Sequence, residues 1–145
     1  MKLTAKASLQ IQKPAAEVFE AIVNPEQLTN YFISESSGRM EAGKELTWEF
    51  GDFPGKFPVK IREAIADKSI SFVWDPETVV IITLEEQSDK STVVNVTEGE
   101  KELSEENLNW LAGNSFGWGN FLDCMKAWLE YGIHLRKGAF DYRKG

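Results

Sequence analysis

Cysteine and histidine are almost absent from this sequence: Cys124 and His134 are the single residues of each type among 145. One cysteine excludes an intramolecular disulfide, and one of each residue cannot make a zinc site of the usual kind. The helical pattern places both on one long C-terminal helix, where ten positions correspond to about 15 Å. That separation excludes a catalytic Cys–His pair. We therefore interpret Cys124 as a small residue beside the packed face and His134 as a cation near a helix end.

Long apolar runs are also missing. No stretch approaches the roughly 20 residues of a membrane span, and no apolar signal region follows the N-terminus. Basic residues are outnumbered, with 16 Lys and Arg against 23 Asp and Glu and a net charge of -7. Because nucleic acids and anionic membranes need a basic footprint, we expect neither as a partner. We expect one cytoplasmic domain over residues 1–145, with 42% hydrophobic residues to build its core.

The sequence contains no pattern that predicts a metal or a cofactor. Acidic groups such as Glu85-Glu86, Glu98/Glu100 and Glu105-Glu106 lie at predicted strand ends or helix starts, where carboxylates are usually solvated. Gly113, Gly117 and Gly119 lack the strand–turn–helix setting of a phosphate loop. We interpret these glycines as allowing a helix to approach a sheet closely, or to kink. No catalytic residue is predicted.

The most informative stretch covers residues 115–131. Its apolar residues recur at the spacing of one face of an amphipathic helix; they are Trp118, Phe121, Leu122, Met125, Trp128 and Leu129. One helix cannot bury so many large side chains alone, so we predict a broad concave surface against it. A helical segment beginning at Ser104 precedes this stretch, and Gly113-Asn114 is predicted to interrupt or kink the path between them.

Alternating apolar and polar residues predict the strands that supply this surface. The first strand covers residues 3–11 and is followed by two short helices, one over 14–23 and one capped by Asn24 with Pro25 at its first position. Five further strands are predicted within residues 45–50, 57–62, 69–74, 79–84 and 93–97, the last ending at 98–100. A short strand near residues 33–37 is weakly indicated. Short turns between the strands favour an antiparallel meander.

Several local motifs, in this order, resemble a known family. They are residues 13–22 (KPAAEVFEAI), 24–28 (NPEQL) and 70–74 (ISFVW), and Gly117-Trp118 opening a helix with Leu122 beneath it. The chain resembles the helix-grip fold of the START / Bet v 1-like (SRPBCC) superfamily, in the branch similar to the C-terminal domain of the activator of Hsp90 ATPase (AHSA1-like). The resemblance implies an α+β fold, in which a long C-terminal helix packs across the concave face of a curved antiparallel sheet.

Two departures accompany this resemblance. The family often has Trp-Phe after the second short helix, where this chain has Tyr31-Phe32. The activator is similar to a two-domain protein whose N-terminal domain makes a large part of the contact with the chaperone. Because the first predicted strand begins at Leu3, we expect that domain to be missing here. The resemblance implies a fold rather than one function, since the fold hosts many functions.

A helix laid over a curved sheet can leave a cavity for a small hydrophobic ligand, or its side chains can fill the space as plain core. The predicted lining is Trp48, Phe50, Phe57, Ile61, Phe72, Trp74, Val80, Ile82, Val94, Trp118, Phe121, Leu122, Met125 and Trp128. The leading hypothesis is a non-catalytic binding domain for such a ligand. The alternative is an interaction protein linked to an Hsp90-type chaperone or to the stress response. A polyketide-cyclase-type enzyme would need acid or base groups in the cavity, and the predicted lining is apolar.

Overall fold

Seven antiparallel strands form one curved sheet in the computed structural model, which describes residues 1–143. The strands are β1 (Lys2–Ile11), β2 (Glu35–Ser36), β3 (Glu45–Glu49), β4 (Lys56–Ile65), β5 (Ser69–Val73), β6 (Val79–Glu86) and β7 (Thr92–Glu102). Their order across the sheet is β1-β7-β6-β5-β4-β3-β2. The helices are α1 (Ala15–Val23), α2 (Pro25–Leu28) and α3 (Glu105–Tyr131), and a short 3-10 helix covers Asp141–Arg143. The predicted helix-grip architecture is confirmed.

The two short helices follow the local signals in the sequence. Asn24 begins α2, where its side chain accepts a hydrogen bond from the backbone N–H of Glu26 at 3.0 Å, and Pro25 occupies the first helical turn. The buried Tyr31 hydroxyl donates to the Ala21 carbonyl at 2.8 Å. This bond joins α1 to the segment after α2, and the Tyr31 ring reaches α3 by packing 5.9 Å from Phe121.

Helix α3 is continuous, so the predicted interruption at Gly113-Asn114 is wrong. A glycine in a helix interior costs only about 1 kcal/mol, and the Ser104 cap together with packing on the sheet outweighs that cost. A Cβ added to Gly113, Gly117 or Gly119 would meet nothing within 4 Å. These glycines therefore do not allow a close approach to the sheet.

The C-terminal end of α3 differs from the prediction as well. Gly132 adopts a left-handed conformation with φ of 67° and caps the helix, as glycine readily does. His134 therefore lies beyond α3 in an exposed turn, and the expectation that it shares a helix with Cys124 is wrong. Cys124 is fully buried beside the packed face, as predicted.

Strand β7 is longer than predicted and does not end at residues 98–100. It continues to Glu102 because β1 runs alongside it, pairing Leu3 with Lys101 and Lys2 with Glu102. The inward face of β7 carries Val94, Val96 and then Glu98, all with 0% exposure. Among residues 1–143, none of the helices combines the length and apolarity that crossing a membrane would need.

Candidate functional site

The centre of the grip, beneath the middle of α3, is filled by aromatic rings. Trp48 packs 5.5 Å from Phe72, 6.0 Å from Trp74 and 5.9 Å from Phe32, measured between ring centroids. The void that remains there has a volume of about 10 Å³, which is close to the space of a single water. Within residues 1–143, the indole N–H of Trp48 is the buried side-chain polar group without a hydrogen-bond partner.

The predicted cavity residues therefore separate into four groups. Two open recesses are lined in part by Phe50, Phe57, Trp74 and Trp118. The small central void is surrounded by Trp48, Phe72, Ile82 and Phe121. The core buries Ile61, Val80, Val94, Leu122 and Met125. Trp128 is half-buried at the far end of α3, where its indole N–H donates to the Gln27 side chain at 3.2 Å. Ligand binding by these residues stays a prediction.

Two recesses with mostly aromatic walls lie beside residues 110–120 of α3. One recess, of about 250 Å³, is here named the tail recess; it is lined by Phe32, Phe50, Phe53, Trp74, Gly113, Asn114, Phe116, Gly117, Trp118, Asn120, Arg136, Phe140 and Arg143. A second, of about 280 Å³, is named the strand recess; it is lined by Phe50, Phe53, Phe57, Trp74, Asp75, Glu98, Trp110 and Asn114. The two adjoin, because Phe50, Phe53, Trp74 and Asn114 belong to both walls.

A wider surface hollow of about 750 Å³ lies beside His134 and Asp52. Its lining contains only two apolar side chains, Phe32 and Ile33, and otherwise consists of polar residues and glycines. Binding sites for small molecules are mostly apolar with a few polar groups. The two aromatic recesses fit that description better than the wider hollow does.

A buried carboxylate lies between the recesses and the core. Glu98 is 0% exposed, and each of its oxygens accepts two hydrogen bonds. One oxygen accepts from the Trp74 indole at 3.0 Å and the Thr78 hydroxyl at 2.8 Å. The other accepts from the Asn114 amide at 2.8 Å and the Trp118 indole at 2.9 Å. The two indole N–H groups and the Asn114 NH₂ group can only donate, and the Thr78 hydroxyl donates in this arrangement, so both oxygens of Glu98 act as acceptors.

The interpretation of Glu98 as a solvated charge at a strand end is therefore wrong. Its β7 neighbours give the signal that sequence reasoning passed over, since a strand that buries Val94 and Val96 places residue 98 on the same face. Buried indole N–H groups seek acceptors, and Glu98 supplies one for Trp74 and one for Trp118. The two rings lie 5.3 Å apart with a tilt of 32°. The carboxylate thus holds two walls of the tail recess in place.

The segment after α3 covers the mouth of the tail recess. Arg136 forms a two-pronged ion pair with Asp52, at 2.6 and 3.1 Å. The same guanidinium lies 5.5 Å from the Phe32 ring, 5.4 Å from Phe50 and 4.9 Å from Phe140. The ion pair and the aromatic contacts together hold the C-terminal segment against the turn that joins β3 to β4.

The family model for activator of Hsp90 ATPase homolog 1-like proteins (AHSA1) matches residues 12–130. The chain belongs to this AHSA1-like family. The family resemblance inferred from residues 13–22, 24–28 and 70–74 is thereby confirmed. Among functionally curated proteins, the sequence finds no significant match.

Solved structures of similar fold include a protein from Staphylococcus saprophyticus, SSP2350. It is 30% identical with a TM-score of 0.82, and the match covers 92% of this chain and 96% of that one. The Aha1 dimer from Colwellia psychrerythraea is 20% identical with a TM-score of 0.77, covering 90% of this chain and 98% of that one. DynU16, a putative protein of the dynemicin biosynthetic locus, is 22% identical with a TM-score of 0.80, covering 90% of this chain and 48% of that one. The last two similarities concern the fold alone.

Charged groups lie beside the strand recess in this AHSA1-like domain. Lys101 pairs with Asp75 at 3.1 Å and lies 5.0 Å from the Trp110 ring. Burial lowers the pKa of Lys101. The negative charges of Asp75, Glu77 and Glu98 raise it by more, so the pKa of Lys101 lies above its ordinary value. The strand recess is therefore bordered by a charged lysine and by two carboxylates, those of Asp75 and Glu98.

Cys124 lies apart from both recesses. Its thiol is within 3.7 Å of the Asn120 side-chain oxygen. Burial raises the pKa of the Cys124 thiol, and the positive charge of Arg136 offsets only part of that rise. Within the described part of the chain, residues 1–143, no three His, Cys, Asp or Glu side chains converge as metal ligands would.

Proposed function

We propose that this AHSA1-like domain binds a small, mainly aromatic molecule in the tail recess, between the sheet and the N-terminal half of α3. The observation that carries the proposal is the pair of indoles, Trp74 and Trp118, held by the buried Glu98 as adjacent walls of an open recess. Trp118 and Glu98 are buried and Trp74 is half-buried, and the hydrogen bonds to Glu98 offset the cost of burying these polar groups while they fix the orientation of both rings. An immobilised aromatic wall loses little entropy when a flat ligand stacks on it.

The volumes support a ligand of modest size. The tail recess of about 250 Å³ is just below the roughly 300 Å³ at which small-molecule sites begin. The adjoining strand recess adds about 280 Å³. Gly113 and Gly117 contribute to this space, because they line the tail recess and a Cβ on either would meet nothing within 4 Å.

Binding is favoured over catalysis by the hydrogen bonds of Glu98. A cyclase-type mechanism would need an acid or base facing the ligand, and a buried carboxylate is a natural candidate. Both oxygens of Glu98 already accept two hydrogen bonds each. To take a proton from a ligand, Glu98 would have to break contacts that hold the recess wall. We therefore assign Glu98 a positioning role.

The proposal is tested with N-phenylnaphthylamine, a neutral aromatic probe whose fluorescence rises in apolar sites. We expect saturable binding by the native protein and at least a tenfold loss in Gly117→Leu, whose side chain would occupy the tail recess. Gly119→Leu is the matched control, because Gly119 has open space around it but does not line the recess. Equal binding by the native protein and both variants, or no saturable binding, would remove the proposal.

An Hsp90-type chaperone partner is the second candidate function, and the match to the Hsp90-activator family over residues 12–130 favours it. The test is to measure the ATPase rate of purified Hsp90 with and without this protein, together with a pull-down. Stimulation that persists in Gly117→Leu would assign the interaction to the surface rather than to the recess. No binding and no stimulation would remove this candidate.

A further inference from the structure

The tail recess has the opposite charge to the rest of the protein. The chain carries 23 acidic residues and a net charge of -7, yet the lining of this recess includes Arg136 and Arg143 and no aspartate or glutamate. The strand recess is the reverse, since Asp75 and Glu98 lie in its wall. A ligand spanning the two recesses would therefore meet positive charge at the tail end and negative charge at the strand end.

The two arginines differ in the groups that their guanidiniums already contact. The guanidinium of Arg136 is engaged by both oxygens of Asp52. Arg143 stacks 4.3 Å from the Phe140 ring, and its Nε donates to the Tyr142 hydroxyl at 3.3 Å. In the part of the chain that the structure describes, Arg143 forms no ion pair. A guanidinium has five N–H donors in a planar fork, so its two terminal nitrogens are available to an anion.

Polar side chains in the same wall are compatible with an anion. Asn120 belongs to this lining; its oxygen accepts from the Cys124 thiol at 3.7 Å, which leaves its NH₂ group to donate to another partner. Phe140 is 6% exposed and packs 6.3 Å from Phe116, which gives the Arg143 guanidinium a firm aromatic support. The recess thus combines flat apolar walls with cationic and amide donors at one end.

We infer that the ligand of the tail recess is an aromatic acid: a ring system stacked against Trp74 and Trp118, with one anionic group bound by the fork of Arg143. The inference rests on the proposed function, because it names the class of ligand for the same recess. The carboxylates of the strand recess repel the anionic end and so orient the ligand with that end toward Arg143. Carboxylate or sulfonate matches an arginine fork because two parallel hydrogen bonds form.

Two fluorescent probes with one ring system test this inference. N-phenylnaphthylamine is neutral, and anilinonaphthalene sulfonate is the same molecule with an added sulfonate. In Arg143→Gln we expect the affinity for the sulfonate to fall by about tenfold, which corresponds to roughly 1.4 kcal/mol of binding free energy. The affinity for the neutral probe should change by less than about twofold. Arg143→Lys keeps the charge but loses the fork, so it should retain part of the affinity for the sulfonate.

Arg62→Gln is the matched control, because it removes the same charge from an exposed position on β4 outside both recesses. Far-UV circular dichroism and the melting temperature of each variant show that folding is unchanged. The inference is overturned if Arg143→Gln leaves the affinity for the sulfonate unchanged, if it weakens both probes equally, or if Arg62→Gln has the same effect. Each of these outcomes leaves the proposed function standing, since that depends on the neutral probe and on Gly117→Leu.

Discussion

Replacing Glu98 with glutamine is the sharpest test of how the recess wall is held. The substitution keeps the size of the side chain and changes one oxygen to an NH₂ group. Each oxygen of Glu98 accepts two hydrogen bonds, from Trp74 and Thr78 at one and from Asn114 and Trp118 at the other. With its NH₂ group toward Asn114 and Trp118, the glutamine leaves two donors without an acceptor. With its NH₂ group toward Trp74 and Thr78, the Trp74 indole loses its acceptor, while the Thr78 hydroxyl can turn to accept instead.

The expected cost follows from the one hydrogen bond lost in the less costly orientation, in which only the Trp74 indole is left unpaired. A hydrogen bond to a charged group contributes about 1.5–3 kcal/mol. Glutamine is cheaper to bury than a carboxylate, which offsets part of the loss. We expect Glu98→Gln to lower the free energy of unfolding by about 1–3 kcal/mol. For a chain of this length that corresponds to a decrease of about 3–12 °C in melting temperature.

Urea unfolding followed by far-UV circular dichroism and by tryptophan fluorescence measures this change. Glu100→Gln is the matched control: it makes the same chemical change two positions along β7, where the side chain is exposed, and it should stay within about 0.5 kcal/mol of the native protein. The reasoning is refuted if Glu98→Gln also stays within about 0.5 kcal/mol. It is refuted equally if Glu100→Gln costs as much as Glu98→Gln.

Three further predictions concern α3. Gly119→Ala should raise the free energy of unfolding by about 0.5–1 kcal/mol in thermal melts, because a Cβ there meets nothing and alanine favours a helix. Cys124 should react with a thiol reagent at pH 8 at least about tenfold more slowly when folded than in urea, because burial raises its pKa. Burial raises the pKa of Glu130, but hydrogen bonds from the Gln12 backbone and Lys126 outweigh it and lower the pKa overall. Glu130→Gln should therefore cost about 1–2 kcal/mol at pH 7, a loss measured by urea unfolding across pH.

Controls for these predictions come from the same helix. Gly132→Ala should lower stability by about 1 kcal/mol, since φ of 67° suits glycine; a gain at Gly132 would contradict the conformational argument. Because the pKa of Glu130 is lower in the folded protein than its ordinary value of 4.5, ionised Glu130 stabilises the fold fully above pH 4.5. That stabilisation is lost as the pH falls through the folded pKa. The difference between native protein and Glu130→Gln should therefore narrow as the pH falls below 4.5, and a constant difference would count against the pKa shift.

The order of elements could be predicted from sequence because period-two and helical patterns are local. Residues 69–74 and 79–84 lie within a few positions of β5 and β6. Glu98 could not be assigned in the same way. The alternation of β7 points it inward, but a glutamate is buried only when partners satisfy it. Those partners come from positions 16 to 24 residues away and meet only in the folded state.

The location of the open space has a different physical origin. Sequence pattern identifies the residues that face the concave side of the sheet, but ring size decides how much space remains between them. Trp48 and Phe72 fill the centre, and the tail recess lies where α3 lacks side chains, at Gly113 and Gly117. Those glycines were expected to bring the helix closer to the sheet, and instead they leave room beside it. The aromatic helix is therefore core at Phe121, Leu122 and Met125, and between Gly113 and Asn120 it forms the wall of a recess that the C-terminal segment covers.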